Sequence, residues 1–140
     1  MPTINNVFSS DGLLAGAIKG FVPREAQTEM AKAVKRAIDT TGSLIVEAGT
    51  GTGKTFAYLA PALLSDGKAI VSTGTKNLQE QLFHRDLPLV KKALGSKRKT
   101  ALLKGRSNYL CLHRVAQHSG NSTLVEKEVL GQLSEVKRWS

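Results

Sequence analysis

The chain has 140 residues, of which 41% are hydrophobic and 22% charged, a composition typical of a soluble globular protein with one modest core. No apolar run approaches the roughly 20 residues that a membrane span needs. The start lacks the basic end and apolar stretch of a secretory signal, so the sequence predicts a cytoplasmic protein. The single cysteine, Cys111, excludes an internal disulfide and cannot form a metal site alone.

The net charge of +9 is unevenly distributed. Residues 87–125 contain no carboxylate. Uncompensated positive charge favours a polyanionic partner, most commonly nucleic acid, although a solvated basic surface explains it as well. The cations of this span are Lys91, Lys92, Lys97, Arg98, Lys99, Lys104, Arg106 and Arg114.

The first half of the chain alternates between helical and strand-like patterns. Residues 1–20 form a lead-in punctuated by Gly, Ser and Asn, with one short apolar stretch at 13–18. Apolar residues at helical spacing predict a helix over 23–38. The β-branched apolar run 43–47 predicts a buried strand. A glycine-rich loop follows this strand, and residues 55–65 are predicted to be helical.

The second half continues the alternation. Residues 68–73 and 100–103 have the pattern of further strands. Residues 77–86 predict a helix, and Pro88 begins a shorter one. A final helix is predicted from Thr123, which can form a capping box with Glu126. Strand, loop, helix and strand in this order are typical of a βαβ unit, so the fold class is α/β with a parallel sheet of at least three strands.

The stretch VEAGTGTGKT (residues 46–55) has the features of a phosphate-binding loop. Glycines let the backbone turn and point N–H groups at phosphate oxygens, a lysine neutralises the outer phosphates, and a hydroxyl ligates magnesium. The usual pattern has glycine at position 48. Alanine is small, and Gly49 can absorb the awkward dihedral, so we expect an intact loop rather than a chance turn. The candidate nucleotide-binding residues are Ala48, Gly49, Thr50, Gly51, Thr52, Gly53, Lys54 and Thr55, of which Lys54 and Thr55 are the candidate catalytic residues and Thr55 the magnesium ligand.

Two other stretches carry groups suited to nucleotide or nucleic acid. In VSTGTKNLQEQL (residues 71–82), hydroxyl and backbone N–H groups at the end of a strand suit contact with a nucleic-acid backbone. The amide of Gln27 can both donate to and accept from an adenine edge. From spacing alone, however, a helix-surface residue is the simpler interpretation of Gln27.

Four motifs in order, FVPREAQ, VEAGTGTGKT, STGTKNLQEQL and LLKGRSNYLC, carry a resemblance to a known family. From Phe21 to Cys111 the chain resembles the start of a DinG/XPD-type superfamily 2 DNA helicase, most like the bacterial YoaA branch. Alanine at position 48 is common in that family. The resemblance implies a RecA-like P-loop fold and ATP- and Mg²⁺-dependent 5′ to 3′ movement on single-stranded or forked DNA, in repair or replication.

The resemblance also implies roles for individual residues. Arg24 and Gln27 would contact adenine. Cys111 would be the first ligand of a [4Fe–4S] cluster whose other cysteines lie beyond residue 140, with His113 and His118 either alternative ligands or surface residues. Residues 21–104 would belong to the first motor domain and 105–140 to the start of the iron–sulfur insertion. The residues expected to contact DNA are Thr73, Thr75 and Lys76.

The sequence lacks a second acidic motif to hold magnesium. Glu47 precedes the loop on the same strand, and Asp66 abuts a glycine at a helix end, so neither qualifies. The length also leaves no room for a second motor domain, and we expect the chain to be the inactive amino-terminal portion of a longer enzyme. Two alternatives are a small-molecule kinase, disfavoured by the acid-free span, and a non-catalytic nucleic-acid-binding module, disfavoured by the intact Lys54–Thr55 pair.

Overall fold

The computed structural model describes residues 2–120 and 127–139. The chain divides into two compact units, Met1–Thr100 and Ala101–Ser140. The predicted capping box of Thr123 and Glu126 lies outside the described residues.

The first unit is helical wherever it has regular structure in the part that is described. The predicted helices over 23–38, 55–65 and 77–86, and the one beginning near Pro88, are confirmed, with small shifts at their ends. A π-helical turn, Leu82–Asp86, continues the third of these into the fourth. The helices are α1 (Ile4–Phe8), α2 (Leu13–Ala17), α3 (Glu25–Asp39), α4 (Lys54–Leu64), α5 (Lys76–Gln81) and α6 (Leu87–Leu94).

The second unit contains a short 3₁₀ turn and two helices among its described residues. The turn is Arg106–Asn108, and the helices are α7 (Leu112–Gly120) and α8 (Lys127–Trp139). The phenol of Tyr109 accepts a hydrogen bond from the backbone N–H of Lys104 at 2.8 Å and so closes the loop around the turn. Each helix in the described part of the chain is too short or too polar to cross a membrane.

Local signals explain where the helices begin and end. The hydroxyl of Thr3 accepts a hydrogen bond from the N–H of Asn6 and caps α1. After α3 the chain reverses at Thr41, which has a φ of 53°, and the N–H of Gly42 donates to the carbonyl of Ala37. Gly95 ends α6 in the left-handed conformation that favours glycine, with a φ of 60°.

The core of the first unit includes its first two helices. Val7 and Leu14 are fully buried, and Phe8 is 1% exposed. The sequence predicted only a lead-in here, because helices of five residues are too short to show a helical period. Residues 4–17 therefore contribute to the packed core. The buried apolar residues of this core are Ile4, Val7, Phe8, Leu14, Ala31, Ala57, Leu59, Ala60, Leu82, Leu87 and Val90.

The three predicted strands are not confirmed. Residues 43–47, 68–73 and 100–103 have no strand pairing among the described residues. Ile45 is 98% exposed and Ile70 is 96% exposed, so apolar side chains that the prediction placed inside a sheet face water. A strand of five or six residues is stabilised by its neighbours in the sheet and by helices on its faces. Formation of the parallel sheet therefore depends on neighbouring strands, and the described part of the chain shows no strand paired with these residues.

Burial of α1 generates a prediction about stability. Phe8→Ala removes a large, fully packed side chain, and we expect it to lower the free energy of unfolding by about 3–5 kcal/mol. Urea denaturation followed by circular dichroism measures this loss. Leu13→Ala, at a partly exposed position in α2, is the matched control and should cost less than half as much. Equal losses in the two variants would show that α1 does not pack into the core.

Candidate nucleotide site

The glycine loop lies between residues 43–47, which form neither helix nor paired strand, and helix α4. Gly51 and Gly53 have φ values of 75° and 81°, in the left-handed region that favours glycine. Gly53 is also the N-cap of α4, so the loop opens directly into the helix. Neither Ala48 nor Gly49 has a positive φ. The expectation that Gly49 absorbs an awkward dihedral was therefore wrong, and Ala48 causes no backbone strain.

Lys54 is the first residue of α4, and its side chain folds over the loop. The ammonium group donates hydrogen bonds to the carbonyl oxygens of Ala48 at 2.7 Å and Gly49 at 2.6 Å. The hydroxyl of Thr52 also donates to the Gly49 carbonyl, at 3.0 Å. These contacts hold a positive charge and the unpaired N–H groups at the start of a helix in one place. Such an arrangement attracts an anion.

Gln27 connects α3 to this loop. Its Nε2 donates a hydrogen bond to the carbonyl oxygen of Gly53 at 2.9 Å, and the residue is only 4% exposed. The interpretation of Gln27 as a helix-surface residue was wrong. The sequence held a signal in the spacing, since Gln27 lies four residues before Ala31 and so shares its helix face, which the structure buries. Arg24, the N-cap residue of α3, is exposed.

A buried acid, which its helical sequence pattern excluded as the acid of a second motif, lies near α4. Asp86, in the π-helical turn, is 5% exposed, and its Oδ2 accepts a hydrogen bond from the side-chain amide of Gln81 at 3.4 Å. Burial raises the pKa of the Tyr58 phenol, and the charge of Asp86 raises it further, while a hydrogen bond with Thr55 lowers it. The phenol therefore stays neutral at physiological pH, next to the candidate magnesium ligand. The helical pattern around Asp86 concealed its burial.

The candidate DNA-contact residues form one short segment. The hydroxyl of Thr75 accepts a hydrogen bond from the N–H of Leu78 at 3.2 Å, which caps α5. The hydroxyl of Thr73 donates to the carbonyl of Thr75, also at 3.2 Å. Lys76 is exposed at the first position of the helix. These polar groups have local structural partners, and Lys76 presents its charge to solvent.

Basic residues near the end of the first unit differ in their contacts. The guanidinium of Arg98 donates to the carbonyls of Ser65 and Gly67, and the ammonium of Lys91 donates to the Arg98 carbonyl at 2.6 Å. Arg98 therefore ties the segment after α6 to the end of α4, and Lys91 holds the backbone of Arg98 itself. Lys97 and Lys99, on either side of Arg98, are exposed.

Cys111 lies in the second unit, directly before α7. Its carbonyl accepts a hydrogen bond from the N–H of Val115 at 3.0 Å, and the residue is exposed. A lone cysteine is most often a small buried residue, but Cys111 is not buried. Within residues 2–120 and 127–139, no group of three or more His, Cys, Asp or Glu side chains could hold a metal ion. His113 is exposed, and the side chain of His118 lies outside the described ones.

A left-handed glycine loop, the lysine that opens the next helix and a buried amide behind the loop define a P-loop nucleotide-binding protein. Comparison with protein families narrows this class to one family. The DEAD/DEAH box helicase family matches residues 24–135. The chain belongs to this family, which has a RecA-like P-loop fold.

The relatives confirm the resemblance that the motifs indicated. The chain is 59% identical to the ATP-dependent DNA helicase YoaA of Haemophilus influenzae over 98% of its length, and 54% identical to YoaA of Escherichia coli over 95%. It is 48% identical to the ATP-dependent helicase DinG of Mycobacterium tuberculosis over 73% of its length. The chain spans about a fifth of these relatives, 21% for both YoaA proteins and 17% for DinG. No solved structure matches it significantly.

Proposed function

We propose that the protein carrying this chain is an ATP-dependent DNA helicase that moves 5′ to 3′ on single-stranded DNA, and that the chain forms the start of its ATP-binding motor domain. The carrying observation is the loop geometry, in which Gly51 and Gly53 turn left-handed immediately before Lys54. The names of the YoaA and DinG relatives support the reaction. We assign its work to DNA repair or replication in the cytoplasm.

The loop residues fit a magnesium nucleotide. The ammonium of Lys54 already lies among loop carbonyls, where phosphate oxygens would compete with those carbonyls for its three protons. Thr55, in the first turn of α4, offers the hydroxyl that would ligate magnesium. The bound ion would neutralise charge on the phosphates. We assign adenine contacts to Arg24 and Gln27, and phosphate contacts to the loop backbone from Ala48 to Gly53.

We further propose that residues 43–47, 68–73 and 100–103 become strands of a parallel sheet within the complete motor domain. Support comes from Ile45 and Ile70, whose exposed apolar side chains need a covered environment. Residues 21–104 would then belong to the motor domain. The acid that completes the magnesium site would lie on a strand outside this chain.

DNA would contact the segment from Thr73 to Lys76 and the exposed lysines Lys97 and Lys99. The lysines are supported by their exposure and by the lack of any acid in residues 87–125. Lys104 and Arg106, in the second unit, belong to the same acid-free span. Basic side chains that reach phosphates release counterions, so this binding would weaken with salt.

The iron–sulfur cluster rests on the family resemblance and on the exposure of Cys111. A [4Fe–4S] cluster needs four thiolates, and the chain contains one cysteine. The residues present therefore cannot hold the cluster by themselves. We propose that Cys111 supplies one ligand and that residues 105–140 begin the insertion that carries the cluster.

The ATP assignment predicts a large loss of turnover in Lys54→Ala. Removing the charge at the loop should lower the DNA-stimulated ATP hydrolysis rate of the full-length protein by roughly 10³-fold or more, on the scale of charged groups in phosphoryl transfer. A phosphate-release assay with and without single-stranded DNA measures the rate. Lys68→Ala, which removes an exposed lysine after α4, is the control and should hydrolyse ATP normally. Undiminished hydrolysis in Lys54→Ala would contradict the proposal.

The DNA assignment predicts a change in salt dependence. Reversing Lys97 and Lys99 together to Glu should weaken binding of single-stranded DNA and reduce the log–log salt slope by about 0.7 for each lost phosphate contact. Fluorescence anisotropy at several salt concentrations measures both quantities. The control reverses Lys32 and Lys35, which pair with Glu29 and Asp39 on the surface of α3. Identical slopes in the two double variants would favour a solvated basic surface.

The cluster assignment predicts iron loss in Cys111→Ser. In the anaerobically purified full-length protein, we expect iron and sulfide per chain to fall below half of the wild-type content, because one thiolate ligand is missing. His113→Ala is the matched control, which should keep its iron and so also excludes His113 as a ligand. Equal iron in wild type and Cys111→Ser would rule out the assignment.

A further inference from the structure

The hydrogen bond between Gln27 and Gly53 joins two helices that are far apart in sequence. Gln27 lies in the first turn of α3, and Gly53 caps α4 across 26 positions of the chain. The contact is made at 2.9 Å by a side chain that is 4% exposed. A buried hydrogen bond of this kind is costly to break, because the group that is left behind has neither its protein partner nor water to bond with.

The Gln27 amide and the Gly53 backbone are complementary in hydrogen bonding and in shape. A carbonyl oxygen only accepts hydrogen bonds, so the nitrogen of the Gln27 amide must face Gly53. A Cβ atom at position 53 would lie 2.0 Å from that nitrogen, so the amide occupies the space that any larger residue would need. The Gly53 carbonyl also accepts the N–H of Ala57 at 3.2 Å, the first helical hydrogen bond of α4. Two donors thus fix the direction of one carbonyl.

The direction of that carbonyl determines where the neighbouring N–H points. The peptide group between Gly53 and Lys54 is planar and trans, so its C=O and N–H point in opposite directions. Holding the C=O toward Gln27 turns the Lys54 N–H away from α3. This N–H belongs to the first turn of α4, whose N–H groups have no partner within the helix and bind anions in phosphate loops.

We propose that Gln27 is a positioning residue for the phosphate loop, acting on triphosphate binding through Gly53 whatever base the nucleotide carries. This inference rests on the proposed nucleotide site and adds to the adenine contact a second role for the same side chain. A residue that only reads adenine affects ligands that contain adenine. A residue that orients the loop affects the phosphate chain itself.

Inorganic tripolyphosphate separates the two roles, because it has the phosphates of ATP and no base. Gln27→Met keeps the length of the side chain and removes the donor. We expect the affinities of the full-length protein for Mg²⁺–ATP and for Mg²⁺–tripolyphosphate to fall by a similar factor of about three to ten, the range for one hydrogen bond. Isothermal titration calorimetry measures both. Glu29→Met, an exposed position on the same helix, is the control and should bind both ligands normally.

Gln27→Glu provides a test that general structural damage does not mimic. A protonated glutamic acid can donate to the Gly53 carbonyl, whereas a carboxylate cannot. Relative to wild type at each pH, tripolyphosphate affinity of this variant should therefore recover as the pH falls through the pKa of the new side chain. Gln27→Met should show no such recovery.

The outcomes are distinct. Unchanged tripolyphosphate binding in Gln27→Met, with or without loss of ATP binding, overturns the positioning role and leaves the nucleotide site intact. A Gln27→Glu variant that stays equally weak at every pH also overturns it. If the wild type binds neither ligand, or if Lys54→Ala binds both as well as wild type, the nucleotide site and the positioning role are overturned together.

Discussion

The packing of α3 against α4 is the constraint on which the nucleotide loop depends. Ala31 of α3 and Ala57 of α4 are both fully buried, and residues of this size let two helices approach closely. Only at close approach can a side chain as short as Gln27 reach the backbone of Gly53. The loop is therefore held from behind by the helix that precedes it in the chain, and its geometry follows from the core of the first unit.

Local chemistry was predictable from the sequence, and non-local partners were not. The helices from residue 23 to residue 94 and the phosphate loop follow from spacing, glycine positions and the Lys54–Thr55 pair, all within short windows. The burial of Gln27 depends on a contact 26 positions away, so spacing indicated a surface residue. The predicted sheet is not confirmed for a similar reason, because the hydrogen-bond partners of any strand come from other strands.

The number of basic residues in a segment does not show which of them can contact a polyanion. The acid-free span looks uniform in sequence, yet Arg98 donates to backbone carbonyls at the end of α4 and Lys91 donates to the backbone carbonyl of Arg98. Lys97 and Lys99 alternate with Arg98 and are exposed. Neighbouring cations therefore differ, because Arg98 fastens the segment whereas Lys97 and Lys99 carry their charge at the surface. Part of the positive charge of this span is thus used within the fold.

The exposed apolar segments link the two candidate functions. Residues 43–47 lead directly into the phosphate loop, and residues 68–73 lead directly into the segment from Thr73 to Lys76 proposed to contact DNA. In an open parallel sheet, ligands bind beyond the carboxyl ends of the strands. On the proposed sheet, both segments would therefore emerge at the same edge. Burying Ile45 and Ile70 would then do more than stabilise the domain, since it would set the distance between the phosphate-binding and DNA-contacting backbones. Coupling between ATP and DNA would require that spacing to be fixed, because a rigid sheet transmits small displacements that a pair of free segments would absorb.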